Sequence, residues 1–209
     1  MGQFGDETRL LSDDLGDDNR KTRLDIFYLS ALKEHFLQAN ARSTQLRYFP
    51  NSSHYFVADH CRYIEAYQSD KTRQYRLSAV ESDEHFCFLL NEAKKGANFE
   101  QLVASFVQQY PEAEQDEVVG YVQALIDEGV FIGDIPLPLT GESPDSTLVW
   151  SLNKIGEHDT AAQLTKVLAQ LQNVDTQQRG EVADYKQILA QLADLPVKAQ
   201  FSGNKNKIY

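Results

Sequence analysis

From Asp25 onward the chain moves between two hydrophobic rhythms. Ile26, Leu29, Leu32 and Phe36 recur three and four positions apart, the spacing of one helix face, and Asp25 ahead of them can accept from the exposed amides of a first turn. The spacing predicts a helix over Ile26–Gln38. Between Leu46 and Val80 the rhythm shortens to two: Tyr48, then Tyr55 and Val57, then Tyr63, Glu65 and Tyr67, then Tyr75, Leu77 and Ala79 hold alternate positions, as strands with one face turned inward require. Pro50-Asn51-Ser52 and Ser69-Asp70-Lys71 supply turn residues, so the stretch reads as an antiparallel hairpin meander. The helical rhythm then returns three times. Ser82 caps a helix carrying Phe86, Leu89 and Leu90 that stops at Gly96. Asn98 with Gln101 forms a capping box for a second, with Leu102, Phe106 and Val107, and Pro111 opens a third with Val118, Tyr121, Val122 and Leu125 that ends at Gly129. Val130-Phe131-Ile132 is short, apolar and rich in β-branched residues, and suits a strand returning to the same sheet.

Strands, three short helices and a closing strand outline a winged-helix-like unit, and the fold class is α+β. Residues 1–24, with Gly2, Gly5, Gly16 and an acidic run at Asp13, Asp14, Asp17 and Asp18, read as loop with one short strand near Thr8–Leu11. Beyond a linker marked by Pro136, Pro138 and Pro144, amphipathic helices are expected over Asp145–Ile155, Asp159–Asn173 and Glu181–Leu195. Leu164, Val167, Leu168 and Leu171 face one way on the second, and Tyr185, Ile188, Leu189 and Leu192 on the third. The organisation is therefore 1–45 as loop and helix, 46–135 as the winged-helix-like unit, and 136–209 as linker and helical group.

Composition narrows the function. The 209 residues are 42% hydrophobic and 24% charged, with no membrane-length apolar run and no export signal, which places the chain in the cytoplasm. Cys61 and Cys87 stand beside His60 and His85, but neighbours one or two apart diverge on a strand or a helix, so they read as buried or half-buried thiols rather than as metal ligands. The formal net charge is −11. From Asn98 to Ile132 there is no Lys or Arg, while Glu100, Glu112, Glu114, Asp116, Glu117, Asp127 and Glu128 carry seven negative charges, which excludes DNA as a partner of the third helix. The strands, with Arg62, Lys71, Arg73 and Arg76, are basic. Such a sheet can take an extended peptide as an added strand, its side chains dropping between strand and helix; equally, the tyrosines can cover a small core from one side. The groove would lie between the strand Arg73–Val80 and the helix Glu114–Glu128. Tyr75, Leu77, Val118, Val122 and Leu125 would line it, and Arg73 and Arg76 would meet acidic peptide side chains. No nucleophile paired with a base and no phosphate-binding loop is visible.

The phrases Arg23-Leu24-Asp25, Tyr48-Phe49-Pro50-Asn51-Ser52-Ser53-His54-Tyr55, Cys61-Arg62-Tyr63-Ile64-Glu65 and Leu77-Ser78-Ala79-Val80 resemble, in that order and spacing, the amino-terminal region of lantibiotic dehydratases. The resemblance takes in Gly2-Gln3-Phe4-Gly5, continues through Phe131 and weakens after Pro136. It implies an enzyme that moves glutamate from glutamyl-tRNA, its co-substrate, to Ser and Thr hydroxyls of a precursor peptide and then eliminates it, with no other cofactor. A carboxylate leaves far more readily than hydroxide does. It also implies leader-peptide capture by the winged-helix-like unit, contacts with glutamyl-tRNA through regions largely outside this chain, and self-association of the full enzyme as a homodimer. Asp25 matches a position implicated in glutamyl transfer, and it serves equally as a helix cap. The family's Arg-Pro-Thr-Pro-Phe-Gly motif is expected just before Met1 and its elimination domain far downstream, so the chain reads as a piece of an enzyme, inactive on its own. A related aminoacyl-tRNA-dependent peptide ligase and a free-standing peptide-binding scaffold are the alternatives.

Overall fold

A computed structural model describes residues 21–69, 72–176 and 181–197, with the side chains of 68, 69, 72 and 73 outside what it describes. The strand expected at Thr8–Leu11 and the charges of Lys71 and Arg73 fall outside the described parts. Among the described residues the chain is α+β, in the order α1 (Ile26–Ala39), β1 (Tyr48–Pro50), β2 (Tyr55–Val57), β3 (His60–Ser69), β4 (Thr72–Glu81), α2 (Glu84–Ala93), α3 (Phe99–Gln109), α4 (Gln115–Asp127), β5 (Phe131–Gly133), α5 (Pro144–Lys154), α6 (His158–Thr176) and α7 (Val182–Ala193).

Local chemistry explains most element boundaries. Asp25 accepts from Phe27 N at 2.6 Å and opens α1. The Asn98–Gln101 box opens α3 reciprocally, through Gln101 N to Asn98 Oδ1 at 2.8 Å and Asn98 N to Gln101 Oε1 at 3.0 Å. Two expected starts move. Ser82 does not cap α2: its amide donates to Asp59 O at 2.8 Å, which keeps it in the strand pairing, and Asp83 caps instead, accepting from Phe86 N. Pro111 does not open α4, which begins at Gln115 behind Glu114. A turn closed by Ala113 N to Tyr110 O at 3.1 Å holds Pro111 at its second position, where a fixed φ is an asset.

The strands form two sheets rather than one meander. β2, β3 and β4 make an antiparallel sheet in that order, and β1 pairs with β5. The expectation that the strand after Gly129 rejoins the first sheet is therefore corrected: Phe131 faces Pro50 and Gly133 faces Tyr48. The bend after Pro50 separates β1 from β2. Asn51 N donates to Val130 O at 2.8 Å and so fastens β1 to the strand that follows α4.

A continuous core runs from Leu29 through Tyr48, Tyr63, Phe86, Val122, Phe131 and Leu152 to Leu195. α1 lies against the carboxy-terminal helices, with Tyr28 Oη donating to Leu192 O at 3.2 Å and Asn40 Nδ2 to Glu157 Oε1 at 2.9 Å. Leu164, Val167 and Leu171 of α6 are buried. On α7, Ile188 and Leu192 are buried, Tyr185 is partly so, and Leu189 is exposed, a correction to the expected four-residue stripe. Leu189 follows Ile188 by about 100° around the helix and meets no further layer among the described residues.

Candidate functional site: the open edge of the three-stranded sheet

Among the described residues β4 pairs with β3 alone, so its other side is an edge about ten residues long. Which groups point into that edge follows from the ladder. In an antiparallel pair, bonded and non-bonded residue pairs alternate. Asp59 and Ser82 are joined by a main-chain bond, so in the register His60↔Glu81, Cys61↔Val80, Arg62↔Ala79, Tyr63↔Ser78, Ile64↔Leu77 the pairs at Ala79 and Leu77 are the non-bonded ones. Ile64 confirms the phase. Its N–H donates to Ser53 Oγ at 2.8 Å and its C=O accepts from Asn51 Nδ2 at 2.9 Å, both away from β4. The N–H and C=O of Leu77 and Ala79 accordingly point out of the sheet.

The same register fixes the faces. Cys61 and Tyr63 are buried, and Val80 and Ser78, their partners, share that inner face. Tyr63 Oη donates to Glu128 O at 3.1 Å and ties β3 to the end of α4. Ser78 and Val80 of the open strand therefore lie on the face where Tyr63 meets the end of α4.

Most of the residues expected to line the groove are placed elsewhere. Tyr75 and Leu77 are on the opposite, outer face with Ile64, 65% and 55% exposed, because period two fixes alternation and leaves open which alternate set faces the core. Val118, Val122 and Leu125 lie in the core, at most 3% exposed: the stripe on α4 is packed against protein and not open to a peptide. Arg76 is already engaged. Its Nε and Nη2 donate to Glu65 Oε2 and Oε1 at 2.9 and 2.8 Å, and its guanidinium stacks 5.2 Å from the Tyr67 ring. This fork holds the Glu65 carboxyl below its ordinary range, helped by Ser78 Oγ, so Arg76 has no open fork for an acidic peptide. Arg73 is on β4, with its side chain outside the described ones. Asp25 is at the start of α1, engaged as a cap.

Asn51 is the residue the sequence reading passed over. It is buried; its Nδ2 donates to Ile64 O and to Gly129 O, both at 2.9 Å, and its Oδ1 accepts from Ser53 N and Ser53 Oγ at 3.0 and 2.6 Å. One amide therefore joins the middle of β3 to the end of α4. The available signal was an Asn in a turn phrase followed two residues later by Ser, the composition of an Asx turn.

The model of the family described as "Lantibiotic dehydratase, N terminus" matches residues 1–206. The chain belongs to that family. Its fold is similar to the crystal structure of the tRNA-dependent lantibiotic dehydratase MibB from Microbispora sp. 107891, with a TM-score of 0.57 and 15% identity, covering 83% of this chain and 18% of that one. The chain thus spans less than a fifth of the length of this dehydratase. No curated protein sequence matches it. Among the described residues of this family member, no helix is long and apolar enough to cross a membrane.

Proposed function

We propose that this chain is the part of a lantibiotic dehydratase that captures the leader of a precursor peptide, in an enzyme that dehydrates Ser and Thr through glutamyl-tRNA. Residues 46–135 form the winged-helix-like recognition unit, and 1–45 and 136–209 are pieces of the glutamylation region. The observation that carries the reading is the open edge of β4: Leu77 and Ala79 present main-chain donors and acceptors in line with an added strand, on a sheet that Asn51 and Tyr63 tie to the end of α4. Family membership supplies the substrate class.

In the full enzyme, a peptide bound along the edge delivers its downstream Ser and Thr side chains to the chemistry. Glutamate from glutamyl-tRNA esterifies a hydroxyl, and loss of the α-proton with departure of the carboxylate leaves the alkene. Binding the leader at a remote edge converts later encounters into intramolecular ones and raises the effective concentration of every modifiable residue. Use of glutamyl-tRNA places the reaction in the cytoplasm.

The test is titration of the labelled leader of the cognate precursor against wild type and Leu77→Pro. Proline at position 77 removes an amide that points out of the sheet, so the fold is kept while a bond to the peptide is lost. Binding should weaken about tenfold, the equivalent of roughly 1.4 kcal/mol, with an unchanged circular dichroism spectrum. Equal affinity for folded Leu77→Pro would show that the peptide does not use this edge.

A further inference from the structure

A second surface has the opposite sign of charge to the chain as a whole. The formal net charge is −11, yet no Asp or Glu occurs between Glu34 and Asp59 or between Glu92 and Glu100, and the fold brings these two stretches together. Tyr48 and Ala97 exchange main-chain bonds at 2.8 and 3.3 Å, Asn98 Nδ2 donates to Thr44 O at 3.1 Å, and Arg47 Nη1 donates to Gly96 O at 3.5 Å. Gly96 turns there with φ +76°, so close over the Phe49 ring that a Cβ would lie 2.5 Å from Cζ. The resulting corner carries Arg42, Arg47, Lys94 and Lys95, all exposed. The Arg42 guanidinium lies 5.0 Å from the centroid of the Phe99 ring. Among the described residues none of the four forms an ion pair, whereas Arg76 and Lys154 are paired with Glu65 and Asp134.

We propose that this corner holds the phosphodiester backbone of a transfer RNA. Cations without carboxylate partners, on two loops fastened to each other, are what a run of phosphates requires, because neutralising phosphates and releasing their counterions supplies the affinity. Arginine forks add directional donors to phosphate oxygens, and the ring of Phe99 already orients Arg42. A protein partner needs an apolar anchor at the centre of its footprint. Neither loop contributes to the large exposed apolar side chains of the described residues, and the same lack leaves nothing to insert into a lipid surface. The choice of transfer RNA rests on the function proposed above, in which it is a co-substrate; the location goes beyond that reading by bringing the RNA onto residues of this chain. The corner borders β1, which is in the sheet that does not contain β4, so RNA and leader are held by different sheets.

The probe is labelled, unacylated glutamate transfer RNA, titrated by filter binding against the 209-residue chain at about 50 mM salt, where backbone contacts are strong. Binding should saturate. The double variant Lys94→Gln/Lys95→Gln, folded by circular dichroism, should bind about tenfold more weakly and reduce the slope of log affinity against log salt by about one to two. Lys94→Arg/Lys95→Arg should keep the affinity within about twofold, because it keeps both charges. Lys166→Gln/Lys186→Gln makes the same change of net charge at exposed positions of α6 and α7 and should leave binding unchanged. No saturation, wild-type affinity in the folded Lys94→Gln/Lys95→Gln variant, or an equal loss in the α6–α7 control overturns the proposal. Displacement of the RNA by poly-glutamate at equal charge overturns it too, in favour of an acidic protein partner. Leader binding should be unaffected by Lys94→Gln/Lys95→Gln, and RNA binding by Leu77→Pro, so failure at the sheet edge and failure at this corner are read separately.

Discussion

Asn51 concentrates more of the site's geometry than any aromatic side chain around it. Its amide uses both donors and its carbonyl accepts twice, in a buried position where every lost partner is felt. Asn51→Ala leaves the carbonyls of Ile64 and Gly129 without this donor and Ser53 without its acceptor. At roughly 1–3 kcal/mol for each buried group left unsatisfied, the variant should lose about 3 kcal/mol of stability in urea unfolding. Ser53→Ala should lose less, since it removes the bonds to Asn51 Oδ1 and Ile64 N and leaves both carbonyls paired. If the two variants are equally stable, the amide does not join sheet and helix in solution.

At the scale of the element, β4 has two kinds of position that alternate along its length. Ser78 faces Tyr63 in a bonded pair and gives its N–H to the ladder, while Leu77 faces Ile64 across a non-bonded pair. Proline should therefore act oppositely at adjacent residues. Ser78→Pro forfeits a ladder bond and the Ser78 contact with Glu65, and should lower the thermal midpoint by several degrees, at about 2–4 °C for each 1 kcal/mol in a chain of this size. Leu77→Pro keeps every bond to β3 and should change the midpoint by less. Comparable midpoints for the two variants would mean that the register is shifted by one residue. Arg76 and Glu65 brace the same hairpin from its inner face, so on this strand a charge that looked available for a ligand is part of the scaffold.

For the whole molecule, tyrosines join the parts. Tyr28 ties α1 to the end of α7, Tyr48 Oη donates to Ala41 O at 2.9 Å between β1 and the end of the first helix, and Tyr63 ties β3 to α4. Burial pushes Tyr28, Tyr48, Tyr63 and Tyr121 each up to about 12, against about 10 for an exposed phenol. A folded-state value above the unfolded one means that the unfolded chain loses its phenolic protons first. This contribution to stability is fully present below pH about 10 and is lost as pH rises through about 12. Absorbance at about 295 nm should show the exposed tyrosines ionising first, and these four only together with the loss of the circular dichroism signal. A single non-cooperative titration of all tyrosines before unfolding would contradict the packing described here.

The helices were readable because their information is local. A cap, a stripe at three and four residues and a stop at glycine lie within one or two turns of each other, which is why α1, α3 and the carboxy-terminal helices begin and end close to where the sequence places them. The two shifted starts, at Asp83 and Glu114, moved for reasons outside the helix: Ser82 was held by Asp59 and Pro111 by a turn. The alternation of β3 and β4 was equally legible, as was the apolar stripe of Val118, Val122 and Leu125. What the sequence could not decide was the partner of each face. Tyr63 and Tyr75 both sit in period-two patterns rich in aromatics, and only packing beneath α4 makes the first buried and the second exposed. Pairing of β1 with β5 joins residues more than eighty positions apart, and the Asn51 amide reaches Gly129 across a similar gap. Periodicity is a property of neighbours along the chain and specifies that a face is apolar; which surface covers that face depends on contacts between distant segments, which exist only once the chain has closed on itself.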